Sequence, residues 1–162
     1  QTQAWSRQQV WARQNTWMTI TTRMATVTDE GWLFQLHEDA HKELVEAAYG
    51  PWIVVQQQEF FRPLVDDHDV FILEQDGSAV GAVYLGIRDE DTWLELIEVT
   101  PARQGEGIGA AALSWVVEES VKAGRGTLLQ VHKVNEGAKR LYEREGFTDA
   151  GTTETHHLLR HP

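Results

Sequence analysis

The chain contains no cysteine in its 162 residues. That excludes a disulfide framework, a thiolate nucleophile and thiolate-ligated zinc. Basic residues are scarce: 14 Lys and Arg stand against 25 Asp and Glu, for a net charge of −11. Nucleic-acid binding needs cations that displace counterions from phosphates, so no nucleic-acid partner is expected. An acidic surface favours solubility and steers cationic molecules toward the protein. No apolar run is long enough to span a membrane, and no continuous apolar segment near the N-terminus marks a signal peptide. A cytoplasmic protein without a membrane partner is the expectation.

What is present suffices for a core: 41% of residues are hydrophobic and 24% charged, ordinary for one soluble domain of this length. Residues 1–17 differ from the rest. They are rich in Gln, carry Arg7 and Arg13 but no acid, and space Trp5, Trp11 and Trp17 by six, which fits no helical stripe. They are read as an N-terminal extension or docking arm, with the natural start near Met18 and a single domain over 18–162.

Thr19–Thr26 reads as a strand and Thr28-Asp29-Glu30 as a helix start. Trp32, Leu33, Leu36, Ala40, Leu44, Ala47 and Ala48 follow at helical spacing, to a break at Gly50-Pro51. A short helix is expected over Trp52–Val65. Val70–Glu74 and Ala79–Ile87 form a hairpin about Asp76-Gly77, and Thr92–Val99 is the next strand. A long helix, Gly107–Ala123, buries Ala112, Leu113, Val116, Val117 and Val121. A strand Thr127–Val131, a helix Asn135–Glu145 stopped by Gly146, and a strand Thr155–Leu159 complete the order. This is a mixed α/β sheet in which an antiparallel meander feeds a βαβ unit.

Two segments carry chemistry. In Gln104-Gly105-Glu106-Gly107-Ile108-Gly109-Ala110 a strand end turns through three glycines into a long helix. Glycine lets backbone N–H groups approach a ligand, and a helix N-terminus adds unpaired donors and partial positive charge, the elements of a pyrophosphate cradle. The spacing fits neither the dinucleotide fingerprint nor the P-loop. In Asn135-Glu-Gly-Ala138-Lys-Arg-Leu-Tyr142-Glu-Arg-Glu-Gly146-Phe147, Asn135 caps a helix, and Ala138 and Tyr142 share one of its faces.

Together, and in this order, the two segments resemble the motifs of the GNAT (GCN5-related) N-acetyltransferase superfamily, Gln/Arg-x-x-Gly-x-Gly/Ala and Asn-x-x-Ala-x-x-x-Tyr-x-x-x-Gly-Phe. The strand end Ile97-Glu98-Val99 and Pro101 are similar too. The resemblance runs from Thr19 to the end and is strongest over Leu94–Leu159. The stretches Leu129–Asn135 and Thr153–His157 resemble a bacterial subgroup without assigned substrates. The implied fold is a mixed, mostly antiparallel sheet of six to seven strands flanked by four to five helices. The implied cofactor is acetyl-CoA. Its pantetheine arm would lie along the backbone of Glu98 and Val99 and its pyrophosphate on the amides of Gln104, Gly105, Glu106, Gly107, Ile108, Gly109 and Ala110, with Asn135, Ala138 and Tyr142 alongside. Tyr142 would protonate the departing CoA thiolate. The implied partner is a primary amine of a small molecule or peptide, and a homodimer is common among relatives. Glu106 departs from the family, which often has Lys or Arg there. A carboxylate repels a pyrophosphate unless it points outward, and Arg103 is placed to compensate.

With no cysteine to carry an acyl group, direct transfer in a ternary complex is expected, with the Val99 N–H as a donor to the thioester oxygen. Glu98 is the candidate general base. It shares a strand face with Leu94 and Leu96 and lies opposite Glu95, and it reads equally as a structural carboxylate. Gln130 stands where some relatives carry a Glu base and cannot take that role. His37, His156 and His157 are further candidates, and Tyr49, Trp52, Phe60 and Phe61 are either acceptor-pocket or core residues. One competing motif remains. His37-Glu38-Asp39-Ala40-His41 fits the zinc-hydrolase pattern His-Glu-x-x-His, with Glu59 a conceivable third ligand. It is read as a solvated or pocket-lining pair, and no metal is expected. A zinc hydrolase and a non-catalytic acyl-CoA-binding module stand as the alternatives.

Overall fold

Asp76 and Gly77 both take positive φ, 52° and 79°, the turn that matches the right-handed twist of two antiparallel strands. It joins Asp69–Gln75 to Ser78–Arg88 in the middle of the sheet. The computed structural model describes residues 19–162 together with the backbone of residues 8–12. Its strands are β1 (Gln8–Ala12), β2 (Thr19–Met24), β3 (Asp69–Gln75), β4 (Ser78–Arg88), β5 (Asp91–Val99), β6 (Thr127–His132), β7 (Thr148–Thr152) and β8 (His156–His161). Its helices are α1 (Glu30–Tyr49), α2 (Val54–Asp66), α3 (Ile108–Lys122) and α4 (Glu136–Arg144). The sheet order is β1-β2-β3-β4-β5-β6-β8-β7. All neighbours pair antiparallel except β5 and β6.

Seven strands fall within 19–162, the upper end of the six to seven that the resemblance implies. The eighth, β1, comes from the segment left out of the sequence-based fold and pairs Gln8–Ala12 with Thr19–Arg23. The remaining expectations for residues 1–17, including the placing of Trp5, Trp11 and Trp17, lie outside the described residues. Strand β7 was missed. All five of its residues are exposed, so it has no buried face to impose an alternating pattern.

Both faces of the sheet are covered, and side chains of β3 alternate between them. Phe71 and Leu73 join Leu113, Trp115 and Val116 of α3 in one core; Val70 and Ile72 join Leu33 and Leu36 of α1 and Phe61 of α2 in the other. Two details differ from expectation. Val121 is 57% exposed. Ser120 is buried in its place, because its hydroxyl bonds Thr92 Oγ1 at 2.8 Å and Val116 O at 2.7 Å. The second half of α1, including Leu44, Ala47 and Ala48, projects to solvent, so only its first turns build the core.

The site is made by an irregularity in β5. Tyr84 pairs with Leu96 but Leu85 pairs with Leu94, leaving Glu95 as an extra, unpaired residue. Such a bulge reverses the in-out alternation and bends the strand. Leu94 therefore faces the α3 core, whereas Leu96 packs against the α1–α2 core. Strand β6 pairs with β5 only from Thr92↔Thr127 to Leu94↔Leu129. Beyond that point β5 stays with β4 and β6 with β8, and the two strands part into a V.

Candidate active site

The V opens into a cleft of about 1070 Å³. One wall is the end of β5 with the loop after it, the other is β6 and α4. Of the expected cofactor residues, Val99, Gln104, Gly105, Gly107, Ile108, Gly109, Ala110, Asn135, Ala138 and Tyr142 line it. A second groove, of about 670 Å³, lies between α1 and α2 and contains none of them.

Backbone geometry makes the first wall. Thr100 N–H donates to Val80 O at 2.9 Å. Peptide groups alternate in direction along a strand, so the N–H and C=O of Val99 turn away from β4 into the cleft. Gln104 Nε2 donates to that carbonyl at 3.3 Å, fixing the loop to the strand end. Gly105 and Gly107 take φ of 79° and 86°, conformations open to glycine without strain. Gly107 is the N-cap of α3 and no side chain caps the helix. The first intrahelical bond is Ala111 N–H to Gly107 O, so the N–H groups of Ile108, Gly109 and Ala110 lack intrahelical acceptors. They form an anion cradle at a helix N-terminus. Glu106 does not line the cleft. Its carboxylate is exposed and held by Arg103 Nε at 2.8 Å, and Arg103 also bonds Gln75. The departure from the family's basic residue is thus turned outward.

The second wall is the capped helix α4. Asn135 Oδ1 accepts from Ala138 N–H at 3.1 Å. Gly146, at φ 98°, ends the helix and lets Phe147 fold back, its N–H on Tyr142 O at 3.1 Å. The Phe147 ring packs 5.9 Å from that of Tyr142. Burial pushes the Tyr142 phenol above its ordinary pKa, which keeps the proton on Oη at neutral pH.

Glu98, the candidate general base, is buried. Its side chain is 0% exposed and does not line the cleft. The bulge puts it on the α1–α2 side with Leu96 and not with Leu94. It accepts from His37 Nδ1 at 3.1 Å, and His41 Nε2 lies 2.8 Å away. Burial raises its pKa, but the two imidazoles outweigh that and hold the carboxyl below its ordinary value. His41 lines the cleft, so it stands between Glu98 and any ligand there. Glu95, expected on the opposite face, bonds the Trp93 indole and lies 3.5 Å from His68, whose Nδ1 faces Leu64 O of α2. The odd spacing of the two glutamates is cancelled by the extra residue at the bulge. Of the other candidates, Gln130 and His156 line the cleft and His37 and His157 do not. Tyr49 and Phe60 are 80% and 63% exposed, while Phe61 is core. His41 lines the cleft, in keeping with the pocket-lining reading of its motif, and Leu44, His132 and Leu141 are cleft residues to which sequence reasoning gave no such place.

A sequence model described as the acetyltransferase (GNAT) family matches residues 34–147, which include both walls of the cleft. The chain belongs to the GNAT acetyltransferase family. No curated protein matches it. Among solved structures, this acetyltransferase is similar to the ribosomal-protein-S18-alanine N-acetyltransferase from Escherichia coli, at 25% identity and TM-score 0.68 over 88% of this chain and 93% of that one. It shares its fold with the PaiA N-acetyltransferase from Thermoplasma acidophilum in complex with coenzyme A, at 17% identity and TM-score 0.70 over 88% and 98%. The same holds for an acetyltransferase from Thermus thermophilus, at 20% identity and TM-score 0.69 over 87% and 96%. The cofactor of this GNAT acetyltransferase is acetyl-CoA, and the uncapped N-terminus of α3 with its glycine turn fits that cofactor's pyrophosphate. The competing hydrolase reading falls with the family assignment. Glu38, which that motif needs as its base, lies near Lys42 Nζ, at 3.9 Å. Among the described residues no helix is long and apolar enough to cross a membrane.

Proposed function

We propose that this acetyltransferase moves an acetyl group directly to a primary amine of a small molecule or peptide, with Tyr142 as the general acid. The reading rests on one observation: a partly buried tyrosine and an uncapped helix N-terminus line the same cleft where β5 and β6 part. Acetyl-CoA, when bound, supplies the activated acyl group. The amides of Ile108, Gly109 and Ala110 and the glycines before them would hold its phosphates. The Val99 N–H, directed into the cleft, is a hydrogen-bond donor for an oxygen that gains negative charge. Tyr142 holds its proton on Oη and would give it to the sulfur as the C–S bond breaks and the C–N bond forms, while the proton lost by the amine passes to solvent, from which the phenol is reprotonated. Glu98 acts in this reading as a positioning residue, which fixes His37 and His41 on the acceptor side. The acidic surface favours a cationic acceptor by steering.

The test is a thiol-release assay with acetyl-CoA and a panel of polyamines, amino acids, aminoglycosides and N-terminal peptides. The chain has no cysteine, so every thiol detected is released CoA. Release that depends on one class of amine, with the product mass raised by one acetyl group, is the expected result. Saturable cofactor binding with no release for any amine would overturn the proposal in favour of a binding module.

A further inference from the structure

Acetyl transfer leaves the His-Glu-x-x-His spacing in α1 unused. The two imidazoles, one helical turn apart, lie on the same side with ring centroids 4.6 Å apart. Strand β5 brings Glu98 against both. His37 Nδ1 is 3.1 Å from Oε2 and 3.3 Å from Oε1, and His41 Nε2 is 2.8 Å from Oε2. One donor atom from each of the three residues lies within 4.8 Å of the others. Four-coordinate zinc with bonds of about 2.0–2.1 Å sets its ligand atoms roughly 3.3 Å apart, and the two imidazole-to-carboxylate distances, 3.1 Å and 2.8 Å, lie near that value.

A plain hydrogen-bonded cluster does not account for His41. Its Nε2 is buried and, despite the short distance, makes no aligned hydrogen bond to the carboxylate. A ring nitrogen beside a carboxylate oxygen but not directed at it leaves both atoms able to serve as ligands of a cation between them. Trp52 Nε1 and Tyr84 Oη are also buried without a partner. Their rings belong to the same aromatic group, in which the His37 ring is 6.4 Å from Trp52 and 5.2 Å from Phe61, itself 6.5 Å from Tyr84. Buried polar groups without partners are costly, and three of the five among the described residues gather here.

We propose that His37, His41 and Glu98 form a binding site for one divalent transition-metal ion of the zinc class, with an open coordination position toward the acceptor side of the cleft. Two imidazoles and one carboxylate are a donor set that zinc takes in sites with a free position. His41 belongs both to this set and to the cleft wall, so an ion held there is reachable from the cleft. Glu38 is outside the ligand set, so the site lacks the general base of the hydrolase motif. The site stands on its own residues, independent of which amine is acetylated.

The experiment is titration of chelator-treated full-length protein with Co²⁺, read by visible absorption, and with Zn²⁺, read by calorimetry. One ion per chain, with the absorption of a four- or five-coordinate cobalt site, is expected. His41→Ala, at a partly exposed position, and Glu98→Gln should each weaken binding by on the order of 100-fold. His156→Ala, which breaks the other histidine pair (rings of His132 and His156, 4.9 Å apart), should leave it unchanged. Zn²⁺ should raise the melting temperature of the wild type and not that of His41→Ala, which separates loss of the site from loss of the fold. Absence of binding below roughly 1 mM, or binding that survives His41→Ala and is lost in His156→Ala, would overturn the proposal.

Discussion

The two sides of the cleft are built from different material. The side we propose for the cofactor is almost wholly backbone: uncapped amides, the inward-turned peptide of Val99, and glycines at positive φ. The side we propose for the acceptor is backed by side chains brought together from distant parts of the chain, with His37 and Glu98, which lie behind the cleft wall, meeting across 61 positions. A backbone cradle needs a particular run of small residues in one stretch, so it leaves a local signature. A side-chain cluster assembled by tertiary packing leaves at most a fragment of one, here the His37–His41 spacing without Glu98. A chain can therefore announce its cofactor while saying little about its acceptor.

The largest test of this contrast is Gly107→Asp. It forces a side chain into φ of 86° and sets a carboxylate at the N-terminus of α3, where the dipole and free amides await an anion. Acetyl-CoA affinity should fall by more than about 100-fold, measured by calorimetry, with the fold retained by circular dichroism. Tyr142→Phe removes only the proton donor. Turnover should fall by roughly 100-fold with acetyl-CoA affinity within about twofold, and full turnover would remove Tyr142 from the acid role.

Between the two sides runs β5 beside β4, and Gly81, which pairs with Val99, tests that pairing. A Cβ there would sit 2.5 Å from the Glu98 carbonyl and 3.1 Å from Leu73 Cδ1. The first neighbour is backbone and cannot move aside without parting β4 from β5. Gly81→Ala should cost about 2 kcal/mol in urea unfolding; no loss would mean that the strands are free to separate there.

The smallest effect is remote from the cleft. Hydrogen bonds from the Arg23 guanidinium hold the Asp29 carboxyl at about 2, below its ordinary unfolded value near 3.9. A depressed carboxyl stabilises the fold fully above the unfolded value and loses that contribution as pH falls through the folded one. Between about pH 4 and pH 2 the wild type should lose about 1 kcal/mol that Asp29→Asn never has, after allowance for solvent screening. Parallel acid denaturation curves for the two proteins would remove this pair from the stability of the β2–α1 corner.

Much of the fold was legible because most elements have a buried side. Every helix and six of the eight strands had a pattern or a turn that marked them, once the Asp76-Gly77 hairpin and the Asn135 cap are counted. The exceptions have physical reasons. Strand β7 has no buried face, and β1 belongs to a segment whose composition resembles no part of the domain. The faces of Leu94, Glu95 and Glu98 were misjudged because parity counting assumes one residue per step, and the bulge adds one. The third partner of His37 and His41 was sought at Glu59, on the neighbouring helix, whereas β5 supplies it as Glu98.

The most direct test of the division between the two sides is calorimetric titration of acetyl-CoA into the wild type, Gly107→Asp and His37→Ala. The account predicts saturable one-to-one binding in the wild type, no measurable binding in Gly107→Asp, and wild-type affinity in His37→Ala, since His37 does not line the cleft. Equal binding by Gly107→Asp, or loss of binding in a folded His37→Ala protein, would contradict it.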